Sequence, residues 1–264
     1  MNILNKIISQ KRIEVEERKA KTSVAEMKQR PLYTRPVLSL KQFLLHDKKT
    51  GIIAEFKRKS PSKGIINDHA DVVEVTTAYT NNGASCLSVL TDESFFGGST
   101  DDLIKARVNE IPILRKDFMI DEYQITEAKA MGADVILLIA ACLTPAEVNR
   151  LAAFAKTLGL EVLLELHAEE ELGHICDDTE IIGINNRNLK TFEVDIERSL
   201  RMAKQIPETK IKVAESGIST VENILLFKEN GFKGFLIGEN FMKEANPGHA
   251  FKKFVSGLKP FHDI

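Results

Sequence analysis

Between residues 52 and 56 the chain reads Ile-Ile-Ala-Glu-Phe and continues Lys-Arg-Lys-Ser-Pro-Ser-Lys-Gly, an apolar run that ends in charge and a turn. Such a run, bounded by turn residues, predicts a buried strand. Side chains alternate faces along a strand, so Glu55 and Lys57 project to the same side where the hydrophobic segment stops. Alone, this pair reads as an exposed strand-end ion pair of little energetic weight. The same design recurs down the chain. Each later unit has a helical segment, a glycine or short turn, about five apolar residues, and then a polar cluster. Helical patterns cover 71–82, 101–108, 121–131, 145–158, 168–175, 195–204 and 220–230. Apolar runs follow at 84–90, 111–114, 134–139, 160–166, 181–184, 211–214 and 234–237, and a last helix is expected over 247–258.

Strands without polar alternation, interleaved with helices, predict a parallel sheet covered by helices. Eight such units predict closure into a (β/α)₈ barrel, with a doubly wound open sheet as the alternative. The expected organisation is one domain over residues 1–264, with a helical extension over 1–48 and the barrel over 49–264. In the extension Ile3, Leu4, Ile7, Ile8 and Ile13 fall at roughly helical spacing, and a second apolar cluster lies at 38–45. Its polar face mixes both charge signs, which favours a packing cap over a membrane or partner helix.

Composition narrows the function classes. Across 264 residues the net charge is −2, which gives no electrostatic reason for a nucleic-acid partner. No apolar stretch approaches the ~20 residues of a membrane span, and the N-terminus lacks a secretory pattern. A cytoplasmic protein is expected. Cys86, Cys142 and Cys176 show no C-x-x-C spacing, and His167 and His174 lack the spacing of a helical metal pair. No metal is expected.

Active sites of such barrels lie at the C-terminal ends of the strands. The polar residues there are Glu55, Lys57, Lys116, Glu165, Asn185, Arg187, Glu215 and Ser216. Two lysines facing three glutamates can keep an ammonium protonated as a general acid while a glutamate serves as base. A purely structural ion network is the alternative, disfavoured because burying five charges for stability alone is neutral or costly. After the last two strands come Ser216-Gly217 and Gly238-Glu239, where glycine admits an anion to backbone N–H groups beside a helix start. Either glycine alone would serve a tight turn equally well; the pair points to a phosphate seat. Phe95, Phe96, Phe118 and Leu189 on strand-end loops suggest an apolar or aromatic substrate moiety.

Four runs carry a resemblance: Ile53-Ala54-Glu55-Phe56-Lys57-Arg58-Lys59-Ser60-Pro61-Ser62, Pro112-Ile113-Leu114-Arg115-Lys116-Asp117-Phe118, Ile184-Asn185-Asn186-Arg187-Asn188-Leu189 and Val213-Ala214-Glu215-Ser216-Gly217-Ile218. Together they resemble the indole-3-glycerol-phosphate synthases of tryptophan biosynthesis, over nearly the whole chain. The resemblance implies a cofactor-free barrel whose extension helps cover the mouth. It also implies closure of an indole ring on 1-(2-carboxyphenylamino)-1-deoxyribulose 5-phosphate with loss of CO₂ and water. Carried over by motif, Lys116 would be the general acid, Lys57 would bind the substrate carboxylate, and either lysine would assist dehydration. Glu165 would be the base, and Glu55 would hold the lysines and share in proton transfer. Asn185 and Glu215 would contact substrate hydroxyls and orient the lysines. Ser60, Arg187, Ser216, Gly217 and Gly238 would serve the anionic groups, while Phe96, Phe118 and Leu189 would pack on the anthranilate ring. Asn188 stands where the family often has Asp, and Glu239 where a small Ser is common, so only the backbone N–H of Glu239 is expected to face the phosphate.

The implied partner is a small anthranilate-bearing sugar phosphate, with no nucleic acid and no membrane, bound by a monomer able to associate weakly with other enzymes of the pathway. Two other readings stand beside this one. A phosphoribosylanthranilate isomerase would bind a related substrate, but typically uses an early Cys with an Asp, where this first strand ends in Glu55 and Lys57. A catalytically silent barrel would not need Lys116 and Glu165.

Overall fold

Uninterrupted apolar runs can be buried on both faces only if helices cover one side and other strands the other, and the chain folds that way. The computed structural model describes residues 3–188, 191 and 193–258. Eight strands, β1 (Ile52–Phe56), β2 (Cys86–Leu90), β3 (Ile113–Lys116), β4 (Val135–Ile139), β5 (Glu161–Leu166), β6 (Ile181–Asn185), β7 (Ile211–Glu215) and β8 (Phe232–Ile237), form a closed parallel barrel in which β8 pairs back onto β1. Closure removes the open-sheet alternative.

Alternation along each strand sorts the side chains. Ile52, Ala54 and Phe56 of β1 join the apolar layer under the helices, as do Leu87, Val89, Ile136, Leu138, Leu164, Ile182 and Phe235. Ile53, Leu114, Leu163 and Val213, from β1, β3, β5 and β7, turn inward and fill one layer of the barrel interior. The helices begin on polar caps that satisfy their free N–H groups. Asp121 caps Glu122–Met131 and Thr144 caps Pro145–Thr157, each completed by a reciprocal side chain at the third helical position. Gly132, at φ 89°, ends the first of these helices in the left-handed conformation.

The extension does two separate jobs. Leu40 and Leu44, on the short helix Leu40–Leu44, join the inward-facing residues and plug the N-terminal end of the barrel. Ser39 and the backbone N–H of Lys41 fasten this plug to Glu161 at the start of β5. Helix α1 (Ile3–Lys21) instead lies at the mouth, with Ile3, Leu4 and Ile7 on the cavity wall and Ile13 turned to solvent.

Besides the buried Val15, which packs with Tyr123 and Ala130, charge docks α1. Lys11 is fully buried, its Nζ 2.8 Å from Glu14, 2.8 Å from Asp92 and 3.0 Å from Asp117. Asp117 also pairs with Arg115, Arg115 with Glu127, and Arg18 of α1 closes the ring by reaching both Glu127 and Glu14. Burial disfavours charge on Lys11, but its acidic partners outweigh that and raise its pKa.

Segment 168–175, expected as a helix, is a 3₁₀ helix over Glu169–His174. Gly173 interrupts the helical preference of the segment, and the Glu171 carboxylate turns back to accept from the N–H groups of His167 and Ala168. Two short helices, Glu93–Phe96 and Glu239–Met242, and a hairpin pairing Lys59–Ser60 with Gly64–Ile65 had no periodic signal. Among the described residues no helix is long and apolar enough to cross a membrane.

The docking ring gives a pH signature. Burial opposes ionisation of Asp117, yet Lys11 and Arg115 prevail and bring its pKa down to about 2. Because the folded value lies below the unfolded one, the stabilisation is complete above about pH 4 and lost as pH falls toward 2. Denaturant unfolding across that range should show stability falling by about 2 kcal/mol from this group. Asp117→Asn should flatten the decline, and an equally steep decline in that variant would refute the assignment.

Candidate active site

One step toward the mouth from the apolar layer, the same four odd-numbered strands present Glu55, Lys116, Glu165 and Glu215. In a barrel of this kind a layer is built by alternate strands and is ordinarily branched and apolar; here it is three acids and a base. Lys116 Nζ lies 3.3 Å from Glu165 Oε2, 3.5 Å from Glu215 Oε2 and 4.0 Å from Glu55 Oε2. Lys57, just beyond β1, places its Nζ 2.6 Å from the other oxygen of Glu55, as the two-residue spacing requires. Asn185, ending β6, donates from Nδ2 to Glu165 Oε1 at 3.0 Å and accepts from the backbone N–H of Arg187.

Two glycines make room for this layer. A Cβ on Gly183 of β6 would stand 2.1 Å from Glu215 Oε1, and one on Gly238 would stand 2.7 Å from Glu55 Oε1. Each carboxylate fills the space where a neighbouring side chain would be.

With two ammonium groups facing three carboxylates, the protons distribute unequally. Burial works against the charge on Lys116, but Glu165, Glu215 and Glu55 together raise its pKa. Burial likewise opposes ionisation of Glu165, yet Lys116 and His167 hold it well below the usual carboxylate range. For Glu215, burial and the adjacent Glu165 carboxylate act together against Lys116 and push its pKa well up. Glu55 is lowered because Lys57 and Lys116 outweigh its burial. The layer thus holds a protonated lysine, two ionised glutamates and one glutamate that tends to keep its proton.

Above this floor opens a cavity of about 340 Å³. Phe96 and Phe118 wall one side with ring centroids 6.0 Å apart, beside the first turns of α1. Phe95 is not on the wall. The opposite rim carries Ser60, Arg187, Ser216, Gly217 and Gly238. Ser216 and Gly217 have φ of 67° and 69°, so the chain past β7 turns in the left-handed region, which a serine adopts only at a cost. The Glu239 carboxylate stands at the rim between two cations, 3.4 Å from Lys63 and 3.7 Å from Arg187. Leu189 lies outside the described residues.

Sequence profiles of known families place the chain. The indole-3-glycerol phosphate synthase profile matches residues 4–254. The chain belongs to that family. A protein of Bacteroides thetaiotaomicron named indole-3-glycerol phosphate synthase is 48% identical over 259 residues, covering 98% of this chain and 99% of its own. One of Salinibacter ruber with the same name is 43% identical over 257 residues, covering 96% and 95%. Among solved structures, a mutant tryptophan synthase alpha-subunit from Pyrococcus furiosus superposes with a TM-score of 0.61 at 18% identity, over 81% of this chain and 99% of that one. That likeness concerns the barrel fold alone. The family is one of carboxy-lyases in tryptophan biosynthesis.

Apart from Phe95 and Leu189, the site residues named from the sequence all line the cavity. Sequence reasoning missed His167, which sits on Glu165, and the α1 residues Ile3, Leu4 and Ile7. His167 was within reach, since it follows Glu165 by the same two-residue step that links Glu55 to Lys57. The part played by α1 has no local signal, because its partners lie far away in sequence.

The glycine void is testable. Gly183→Ala should fold yet lose roughly tenfold or more in kcat, because Glu215 braces Lys116 and a misplacement of about 1 Å in such a site costs on the order of 100-fold. Steady-state kinetics beside a thermal melt decide it; an unchanged kcat would mean the void does not set the position of Glu215.

Proposed function

We propose that this protein converts 1-(2-carboxyphenylamino)-1-deoxyribulose 5-phosphate to indole-3-glycerol phosphate, CO₂ and water, with Lys116 as general acid and Glu165 as base. Membership of the family supports the overall reaction. The observation that carries the assignment of roles is the ammonium of Lys116 at the cavity floor, within 4.0 Å of three carboxylates.

The ring carbon bearing the carboxylate is a weak nucleophile, so its attack on the ribulose carbonyl needs a proton delivered to the carbonyl oxygen as the bond forms. Lys116 supplies it. Its raised proton affinity means the proton passes to a strongly basic centre, the developing alkoxide, and not to water. Breaking the bond to the carboxylate then releases CO₂ and restores the aromatic ring. Loss of the new hydroxyl as water, protonated by a lysine ammonium, is matched by removal of a proton from the adjacent carbon by Glu165, whose low pKa keeps it ionised and ready. Atoms balance with no external oxidant or reductant.

Lys57, at the cavity wall and anchored by Glu55, meets the anthranilate carboxylate. The rings of Phe96 and Phe118 receive the aromatic moiety, and Arg187 with the backbone at Ser216, Gly217 and Gly238 receives the phosphate. Asn185 and Glu215 meet the sugar hydroxyls and hold Lys116.

The chain has no Trp, so indole emission is read against a low background. Mixing protein and substrate with chelator present should give a rising indole signal. Lys116→Ala should reduce kcat by about 100-fold or more while the fold persists, since the lost group acts in the transition state; near-normal turnover would remove the acid assignment. Arg187→Ala should raise KM with a smaller change in kcat, and an unchanged KM would count against its anion role.

A further inference from the structure

His167 stands just past the end of β5, two residues beyond Glu165, so strand alternation turns both side chains toward the barrel axis. The imidazole is 6% exposed, forms part of the cavity wall, and places Nε2 2.9 Å from Glu165 Oε1. Neither ring nitrogen completes an aligned hydrogen bond among the described residues, but Nε2 has the Glu165 oxygen within reach. A buried N–H without an acceptor costs more than a bare ring nitrogen, so the proton belongs on Nε2, facing the carboxylate. Glu165 has both oxygens engaged, Oε2 by Lys116 and Oε1 by Asn185, and His167 Nε2 stands 2.9 Å from that same Oε1. Glu215 Oε1, in contrast, has no hydrogen-bond partner among the described residues.

We propose that His167 is a positioning residue for the reaction: it donates from Nε2 to Oε1 of Glu165, fixing that carboxylate's orientation and keeping it in the ionised form that accepts a proton. The inference rests on the reading of Glu165 as base. A carboxylate that must take a proton from carbon needs its unshared electrons directed at one point, and two donors with a third nitrogen 2.9 Å away leave it little freedom to rotate. Lys116 cannot do this alone, because it is shared with Glu55 and Glu215.

The charged groups around the pair are Lys116 from β3, Glu215 from β7, Glu55 from β1, and Glu171, whose carboxylate accepts from the backbone N–H of His167 at 2.6 Å. Burial, with Glu165 and Glu171 nearby, raises the pKa of the Cys142 thiol and keeps it neutral. Removing the imidazole leaves Lys116 and Asn185 in place but takes away one donor, so Glu165 binds a proton more readily.

The experiment is the pH dependence of kcat and KM of the full chain acting on the carboxyphenylamino-deoxyribulose phosphate, for wild type, His167→Ala, His167→Gln and Glu165→Gln. For His167→Ala, kcat should fall by about tenfold or more with KM little changed, and the acid limb of kcat should move up by about one pH unit. In His167→Gln the amide N–H reaches the same oxygen, so most of kcat and the position of the limb should return. If the alanine variant does not fold, His167→Leu takes its place. An undiminished kcat in the donor-free variant, a fall in kcat with the acid limb unmoved, or no recovery with glutamine would each overturn the proposal. Turnover by folded Glu165→Gln would instead overturn the reading of Glu165 as base, so the two failures are distinguishable.

Discussion

A buried ammonium is tolerated only where enough negative charge surrounds it, and a buried carboxylate only where positive charge or donors do. At the mouth of this barrel the two requirements are met by one another. Lys116 keeps its proton because Glu55, Glu165 and Glu215 converge on it from three other strands, and two of those acids stay ionised because Lys116 is there. The arrangement is unbalanced by one charge, and the imbalance falls on Glu215. A layer that stabilised the fold alone would be apolar, like the ring of Ile53, Leu114, Leu163 and Val213 beneath it. The layer sets a group that holds its proton tightly beside a group that holds it loosely, a pairing of the kind the proposed acid and base roles need.

The surroundings are built to keep that layer in place. Gly183 and Gly238 leave voids that Glu215 and Glu55 fill, so the positions of two acids are set by the absence of side chains on the strands beside them. Lys116 itself sits between Arg115 and Asp117, which face away into the ion-pair ring with α1. Consecutive residues of β3 therefore serve the cavity and the docking of the extension by turns. A disturbance on one side of the strand reaches the other through a single backbone.

The repeat of helix, glycine and apolar run made the barrel legible, because strands buried on both faces carry no alternation to confuse with anything else. The charged layer was legible for a related reason: polar residues break the apolar runs only at the strand ends, and the rule that sites lie there ordered Glu55, Lys116, Glu165 and Glu215 into one place. The helical character of Glu169–His174 was overstated because a polar segment between strands was given the period of its neighbours. His167 was passed over because a lone histidine was weighed only as a metal ligand. The glycine voids could not be read at all, since Gly183 and Gly238 look like any other glycine until the barrel closes and brings Glu215 and Glu55 beside them.

The docking of α1 bears on how the chain comes to be. Arg18 meets Glu127, 109 residues further along, and Lys11 waits for Asp92 and Asp117. At synthesis rates of about 5–20 residues per second, the first helix spends roughly 5 to 20 seconds without the groups that will bury its charges. Through that interval Lys11, Glu14 and Arg18 are solvated, and they keep the apolar first turn, Ile3, Leu4 and Ile7, on a helix that water tolerates. The residues that later lock the helix against the barrel are thus the ones that keep it soluble while it has nothing to pack against.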